Sequence, residues 1–190
     1  MARLVILVLA TQGGFLCLAF AGATWHGKPA RPGLGLNRPE KPLTWPVAAG
    51  LVTGIILLSF SLAFLLQYSG IRESSALAEL ERRFAEIEPR HLPYLLLGVA
   101  LLPAFAEELL FRGFLLGSLA GRFGNGVGLL TSAFLFGAAH FDLAQGTAAF
   151  VLGLYLGGIR LRTGSVHAGM LCHASNNAIA VLAPHFLSVG

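Results

Sequence analysis

The sequence predicts an all-α protein, a polytopic bundle of about six transmembrane helices with one amphipathic surface helix. Hydrophobic residues make up 55% of its 190 residues and charged residues only 12%, about half the charged share of a typical soluble domain. The mean hydropathy is +0.73. Most of the charges lie in connectors between apolar runs, and a run of about 20 residues is long enough to cross a bilayer.

Six apolar runs can be placed in order along the chain. Each is expected to form one span, and the fourth is short for this role because a span needs about 20 residues. The first run ends without a small-residue cleavage site, so we expect it to stay in the membrane rather than be removed as a signal peptide. The six runs cover residues 4–23, 45–68, 92–119, 127–141, 144–161 and 166–187.

The charge-rich stretch of the chain extends from Arg72 to Arg90. Its apolar residues recur at three- and four-residue spacing, which predicts an amphipathic helix. Such a helix could lie along the membrane surface, cap the bundle or serve as a solvated connector, and the sequence leaves these three roles open. The apolar residues of this helix are Leu77, Leu80, Phe84 and Ile87.

The net charge of +4 could indicate a nucleic-acid-binding protein, but the positions of the basic residues argue against that class. They lie in short connectors between apolar runs, where Lys and Arg set the orientation of a membrane protein. Alternating spans place connectors 24–43, 120–126 and 160–164 on one side, with seven Lys and Arg against five on the other. This count favours a cytoplasmic position for 24–43. The seven are Lys28, Arg31, Arg38, Lys41, Arg122, Arg160 and Arg162.

Two adjacent glutamates lie deep in the third apolar run. A charge at bilayer depth costs several kcal/mol, so such residues normally face the bundle interior and mark a functional site. Glu108 and Arg112 stand four residues apart, the spacing of an ion pair on one helical face. Glu107 points about 100° away from that face. We therefore predict that Glu108 and Arg112 support the helix and that Glu107 carries the chemistry.

Two histidines and an asparagine occur in later apolar runs. His140 ends the fourth run with Phe136 one turn before it, and His173 precedes Asn177 by one turn in the sixth. A single histidine inside a membrane protein usually serves as an interior hydrogen-bonding group. A glutamate, two histidines and an asparagine on three separate spans instead indicate one shared polar cavity.

These residue types fit two kinds of hydrolytic site. A carboxylate and an imidazole can take a proton from water, while an imidazole and a carboxamide can stabilise the oxyanion that forms on a peptide carbonyl. Alternatively, one glutamate and two histidines can hold a zinc ion with water as the fourth ligand. Asp142 is the only aspartate and no H-E-x-x-H or G-x-S-x-G occurs, which excludes two-aspartate proteases and two common hydrolase motifs.

Three motifs stand in order on successive apolar runs. They are the E-E-x-x-x-R of residues 107–112, the F-x-x-x-H of 136–140 and the H-x-x-x-N of 173–177. Their order and spacing resemble the CPBP family of intramembrane proteases, which includes the CAAX prenyl endopeptidases and the bacterial Abi proteins. The resemblance covers about residues 92–187. It divides the chain into 1–91, two N-terminal spans plus the amphipathic connector helix, and 92–190, a four-span catalytic core.

The resemblance implies a role for each motif residue. Glu107 would activate water together with His140, and His173 and Asn177 would form the oxyanion site. Glu108, Arg112 and Phe136 would support these groups. We favour a mechanism without a cofactor, and the alternative is a zinc ion held by Glu107, His140 and His173.

The resemblance also implies a substrate and a location. We expect an intramembrane endopeptidase that cuts a membrane-anchored or lipidated protein or peptide. It would be an integral, multi-pass protein of the bacterial cytoplasmic membrane that does not bind nucleic acid. One alternative is a non-catalytic membrane scaffold, such as a bacteriocin-immunity or regulatory protein that keeps the motifs for packing. Another is a small transporter that uses Glu107 as a proton site.

Overall fold

The computed structural model describes residues 2–25, 29–40, 42–73 and 75–187, and within these ranges the chain is helical and contains no strand. The predicted connector residues Lys28 and Lys41 lie outside the described residues, and so does the side chain of Leu77. The helices are α1 (Ala2–Thr24), α2 (Ala30–Gly33), α3 (Trp45–Tyr68), α4 (Ala76–Ala85), α5 (Pro89–Phe123), α6 (Asn125–Ala138), α7 (Leu143–Thr163) and α8 (His167–Leu187).

The prediction of an all-α, membrane-type bundle is confirmed. A helix occupies the place of each predicted span, and the stretch Ile6–Thr24 of α1, together with α3 and α5, is long and apolar enough to cross a membrane. Helix α6 is apolar but has only 14 residues, about 21 Å of helix against a hydrocarbon core of about 30 Å. The number of helices that cross the bilayer therefore stays a prediction.

The fourth predicted run, 127–141, ends earlier as a helix than we expected. Helix α6 stops at Ala138, and Phe141 has a φ of 51°, a left-handed conformation that an α-helix cannot continue through. Asp142 then caps the start of α7, since its side chain accepts from the backbone N–H of Gln145 at 2.8 Å. His140 consequently lies in the turn between α6 and α7.

Helix α4 docks onto the bundle, which excludes a wholly solvated connector among the three roles. Its buried Phe84 packs with Leu95 of α5 and Val181 of α8, and Leu80 and Ile87 add to the same cluster. The opposite face carries exposed ion pairs between Glu79 and two arginines. Those arginines hold the pKa of the Glu79 carboxyl below its ordinary value through hydrogen bonds and charge.

Contacts between connectors agree with chain crossings that alternate in direction. At one end, the N–H of Glu40 donates to the carbonyl of Thr163 and that of Val166 to Gly35. At the other end, Asp142 accepts from the N–H of Ala76 at 2.9 Å. There too, a ring nitrogen of His185 lies 3.0 Å from the carbonyl oxygen of Ile87. The connector after α1 thus meets the α7–α8 turn, while α4 meets the α6–α7 turn and the end of α8.

Helix α5 is irregular in the segments that surround the two glutamates. Turns of π type, in which each N–H bonds five residues back, occupy Leu96–Leu101 and Glu108–Leu115. Pro103 follows the first of these, and because proline has no N–H it cannot donate to the carbonyl of Val99. Such π turns occur frequently at functional sites. Helix α5 contacts α1, α6 and α8, so its irregular segments lie in the middle of the bundle.

Candidate active site

The two glutamates lie together at the junction where α5 passes from an α-helical to a π-helical segment. Glu108 is 0% exposed and Glu107 is 8% exposed. Burying a carboxylate this far is costly unless hydrogen bonds or opposite charges compensate for the lost water. The two side chains have different partners, and these give the two carboxylates different electrostatic surroundings.

Glu108 is paired with a cation, as the sequence predicted. Its Oε1 lies 2.9 Å from Nη1 of Arg112, and both side chains are almost completely buried. The guanidinium carbon of Arg112 also lies 4.0 Å from the ring centroid of Phe136, a cation–π contact. No nitrogen of this guanidinium is aligned for a hydrogen bond among the described residues. Charge and stacking therefore hold Arg112 in place.

Glycines on two neighbouring helices make room for this buried pair. A Cβ at Gly169 of α8 would lie 2.6 Å from Oε2 of Glu108, and a Cβ at Gly153 of α7 would lie 3.2 Å from Nη2 of Arg112. We did not predict either contact. Gly169 stands four residues before His173, on the same helical face, and that spacing is the signal that could have identified it.

His173 lies between the two carboxylates. Its Nδ1 is 3.2 Å from Oε1 of Glu108, and its Nε2 is 3.7 Å from Oε2 of Glu107. The second distance is longer than a hydrogen bond, so one water molecule or one substrate oxygen could contact both atoms. The structure thus brings His173 to Glu107, and its link to Glu108 was not predicted.

Glu107 has a second partner, on α1, that sequence reasoning missed. Nε2 of Gln12 donates to Oε1 of Glu107 at 3.0 Å, in a buried contact between residues 95 positions apart. Between residues 4 and 23, Gln12 is the only residue with an amide or charged side chain. A strongly polar side chain in an apolar span usually hydrogen-bonds to another helix, and this was the available signal.

His140 and His173 pack against the same aromatic ring. Their ring centroids lie 5.0 and 5.8 Å from that of Phe136, both in edge-on geometry. Nδ1 of His140 lies 2.9 Å from the carbonyl oxygen of Phe136. Because a carbonyl only accepts, this nitrogen carries the proton and Nε2 is left with the lone pair. Phe136 therefore contacts Arg112 and both predicted histidines.

Asn177 has a structural partner in this geometry. Its Nδ2 donates to the carbonyl of Val99 at 3.4 Å, the group to which residue 103, a proline, cannot donate. In the second π segment, the hydroxyl of Ser132 donates to the carbonyl of Phe111 at 2.6 Å. Polar side chains from other helices thus satisfy a backbone group in each irregular segment of α5.

Direct contacts therefore join six of the seven predicted residues, and Asn177 is less closely connected. His140 joins the cluster through Phe136, while Asn177 contacts α5 through Val99. Neither forms a hydrogen bond or ion pair with Glu107 in the part of the chain that the structure describes. The six directly joined residues are Glu107, Glu108, Arg112, Phe136, His140 and His173.

A metal site would need three ligands within reach of one ion. Over the described ranges, no group of three or more His, Cys, Asp or Glu side chains is arranged to hold a metal. In particular, Nδ1 of His140 is engaged by the carbonyl of Phe136. The zinc alternative would therefore require Glu107, His140 and His173 to converge further, and our expectation of no cofactor stays a prediction.

The cluster lies away from the open clefts of the molecule. Two clefts of about 410 and 490 Å³ have mostly apolar walls, and none of the predicted site residues lines either of them. The first lies between α3, α6 and α7, and the second lies along α6, α7 and the turn that joins them. Glu107 and His173 are both almost fully buried.

Comparison with known proteins finds a match for the part of the chain that carries the motifs. A family model described as type II CAAX prenyl endopeptidase Rce1-like matches residues 89–179. No curated protein and no solved structure matches significantly. The matched segment begins with α5 and contains every site residue predicted from the sequence. Residues 89–179 are therefore similar to the Rce1-like type II CAAX prenyl endopeptidases.

Proposed function

We propose that the protein hydrolyses a peptide bond of a membrane-anchored or lipidated protein or peptide and that Glu107 is the base. The unequal pairing of two adjacent carboxylates supports this most directly. Glu108 is committed to the cation of Arg112, whereas Glu107 accepts from a neutral amide and lies 3.7 Å from an imidazole nitrogen. A buried carboxylate that is not committed to a cation is free to take a proton from water.

His140 would assist Glu107 in activating the water. Its Nδ1–H is engaged by the carbonyl of Phe136, so Nε2 is available as an acceptor. The edge-on contact with the Phe136 ring holds the imidazole in this orientation. The water would lose one proton to Glu107, and its oxygen would form the new bond to the carbonyl carbon of the substrate.

His173 and Asn177 would stabilise the resulting oxyanion. The amide of Asn177 has two N–H groups, and the bond to Val99 uses one of them. Nδ1 of His173 faces the acceptor Glu108, so its Nε2 can donate only if the ring carries a second proton. After water has been deprotonated, Glu107 is an acid close enough to supply that proton. When the C–N bond breaks, the departing amine takes the proton.

The substrate class follows from the family and from the surroundings of the site. The family description names a prenyl endopeptidase, which implies a membrane-associated protein with a lipid group near the cleaved bond. A buried site in an apolar bundle suits a substrate delivered within the membrane. We place the enzyme as a multi-pass protein of the bacterial cytoplasmic membrane, with the connector 24–43 on the cytoplasmic side.

The test compares Glu107→Gln with wild type in proteoliposomes, using a farnesylated peptide reporter and a panel of membrane-anchored peptides. Glu107→Gln should lower the cleavage rate by about a hundredfold to ten-thousandfold, the usual contribution of a general base. Glu86→Gln, an exposed acid at the end of α4, is the matched control and should cleave normally. Equal cleavage by Glu107→Gln and wild type would refute the assignment.

Metal content separates the two mechanisms. We favour hydrolysis without a metal, so purified protein should remain active in a strong chelator. Stoichiometric zinc together with chelator-sensitive cleavage would instead support a zinc ion held by Glu107, His140 and His173.

A non-catalytic membrane scaffold, for instance an immunity or regulatory partner, is the second candidate. It is favoured by the internal partners of Glu108, Arg112, Phe136 and Asn177, which give each of these motif residues a packing role. If a membrane proteome lacking this protein shows the same processed C-termini as one containing it, and if the peptide panel stays intact, the scaffold is the better description.

A further inference from the structure

Helix α1 lies outside the segment that the family model matches, yet its Gln12 side chain contacts the proposed base. Gln12 is 6% exposed, and its Nε2 lies 3.0 Å from Oε1 of Glu107. A buried amide in an apolar helix is unfavourable unless it is hydrogen-bonded. This contact gives the buried N–H of Gln12 an acceptor and at the same time restrains one oxygen of the Glu107 carboxylate.

The packing of α1 keeps Gln12 in this position. One turn further on, Phe15 meets the ring of Phe111 edge-on, at 5.7 Å between centroids. Ala19 is fully buried in the same cluster, and Gly22 lies so close to the ring of Phe114 that no side chain would fit between them. Three contacts along one face of α1 thus set its position against α5.

The oxygen of the Gln12 amide, Oε1, indicates where a further hydrogen-bond donor can bind. An ionised carboxylate can only accept hydrogen bonds, so Gln12 must turn its NH₂ group toward Glu107. That orientation leaves Oε1 of Gln12 as a buried acceptor without a partner among the described residues. Since Oε1 and Nε2 share one carbon atom, this acceptor lies next to the carboxylate. A buried acceptor of this kind is costly to leave unsatisfied.

We propose that Gln12 is a positioning residue for the hydrolysis, an inference that depends on the proposed function. It holds the Glu107 carboxylate through Nε2, and its Oε1 accepts a hydrogen bond from the attacking water. One hydrogen of that water goes to Glu107 as a proton. The other, shared between Oε1 of Gln12 and the lone pair on Nε2 of His140, remains in the new O–H group on the substrate carbon. With both hydrogens directed, the lone pair of the water oxygen faces the carbonyl carbon.

The experiment uses Gln12→Leu, which keeps the approximate size of the side chain and removes both polar atoms, in the full-length protein in proteoliposomes. Because Gln12 acts on the water and not on substrate binding, kcat should fall on the order of 10- to 100-fold while KM stays within about twofold. Gln12→Glu offers an acceptor but no donor, and puts a second carboxylate beside Glu107, so it should also lose activity. Thr11→Val, an exposed neighbour on the same helix, should behave as wild type.

A second measurement tests the contact without any substrate. Gln12→Leu should lower the melting temperature in detergent when Glu107 is present, and lower it less when Glu107 is replaced by Leu, since the two side chains share one hydrogen bond. Unchanged kcat in Gln12→Leu, or additive losses of melting temperature, would overturn the inference. If wild type and Glu107→Gln cleave equally while the losses are non-additive, the proposed function fails and the water-orienting role of Gln12 fails with it.

Discussion

Glu107 and Glu108 are neighbours with the same functional group, and the fold gives them opposite surroundings. Glu108 is completely buried with Arg112 on one side and His173 on the other. Glu107 keeps a small exposed fraction, accepts a hydrogen bond from Gln12 and lies 3.7 Å from the second nitrogen of His173. The difference shows that consecutive residues of one helix can have different electrostatic surroundings, because adjacent side chains point in different directions.

The largest expected contrast in stability comes from removing each carboxylate in turn. Glu108→Ala leaves Arg112 as an unpaired buried cation, which should cost about 3–5 kcal/mol of unfolding free energy. Glu107→Ala leaves only neutral hydrogen-bonding groups without a partner, so the loss should be about 1–3 kcal/mol. Unfolding in mixed micelles measures both. If Glu107→Ala proves the more damaging change, the structural and reactive roles have been assigned to the wrong residues.

A smaller effect is expected when the space around Glu108 is reduced. Gly169→Ala places a Cβ 2.6 Å from Oε2 of Glu108, so the ion pair must shift, and overpacking of this kind costs about 1–3 kcal/mol. The control is Gly158→Ala in α7, where a Cβ meets nothing within 4 Å and helix propensity favours alanine. Equal melting temperatures for the two variants would contradict the close approach of α8 to Glu108.

The smallest effect concerns a third carboxylate, at the edge of the bundle. Each oxygen of Asp142 accepts from a different helix start, Gln145 of α7 and Ala76 of α4. The N–H of Gln145, and after it that of Ala76, hold the pKa of Asp142 below its ordinary value of 3.8. Asp142→Asn has one acceptor oxygen instead of two, so it should lose about 1 kcal/mol.

The lowered pKa of Asp142 determines how the stability of the protein changes with pH. Because the pKa of Asp142 is lower in the folded protein, its contribution to stability is complete above the ordinary value and is lost as the pH falls through the folded value. The stability of wild type should therefore decrease toward acidic pH more steeply than that of Asp142→Asn, when both are measured by thermal unfolding. Parallel curves would indicate that Asp142 does not cap both helices.

The sequence predicted the parts of this site that depend on spacing within one helix. The ion pair of Glu108 with Arg112 follows from their four-residue separation, and the exclusion of Glu107 from that pair follows from the helical angle. The link from Gln12 to Glu107 depends on how α1 packs against α5, which spacing within a helix does not report. The bridging position of His173 and the irregular turns of α5 likewise result from tertiary packing and from a proline in mid-helix.

The contact between α1 and α5 bears on how this protein can be divided. Similarity to known proteins begins at residue 89, so a boundary drawn by similarity would separate Gln12 from the carboxylate that it holds. An excised segment of residues 89–187 would retain the motifs but expose the Glu107 side of α5 to lipid or to a foreign helix. Fusions, chimeras and minimal versions of this protein should therefore carry their own α1, because a unit recognised by its motifs is smaller than the unit that positions them.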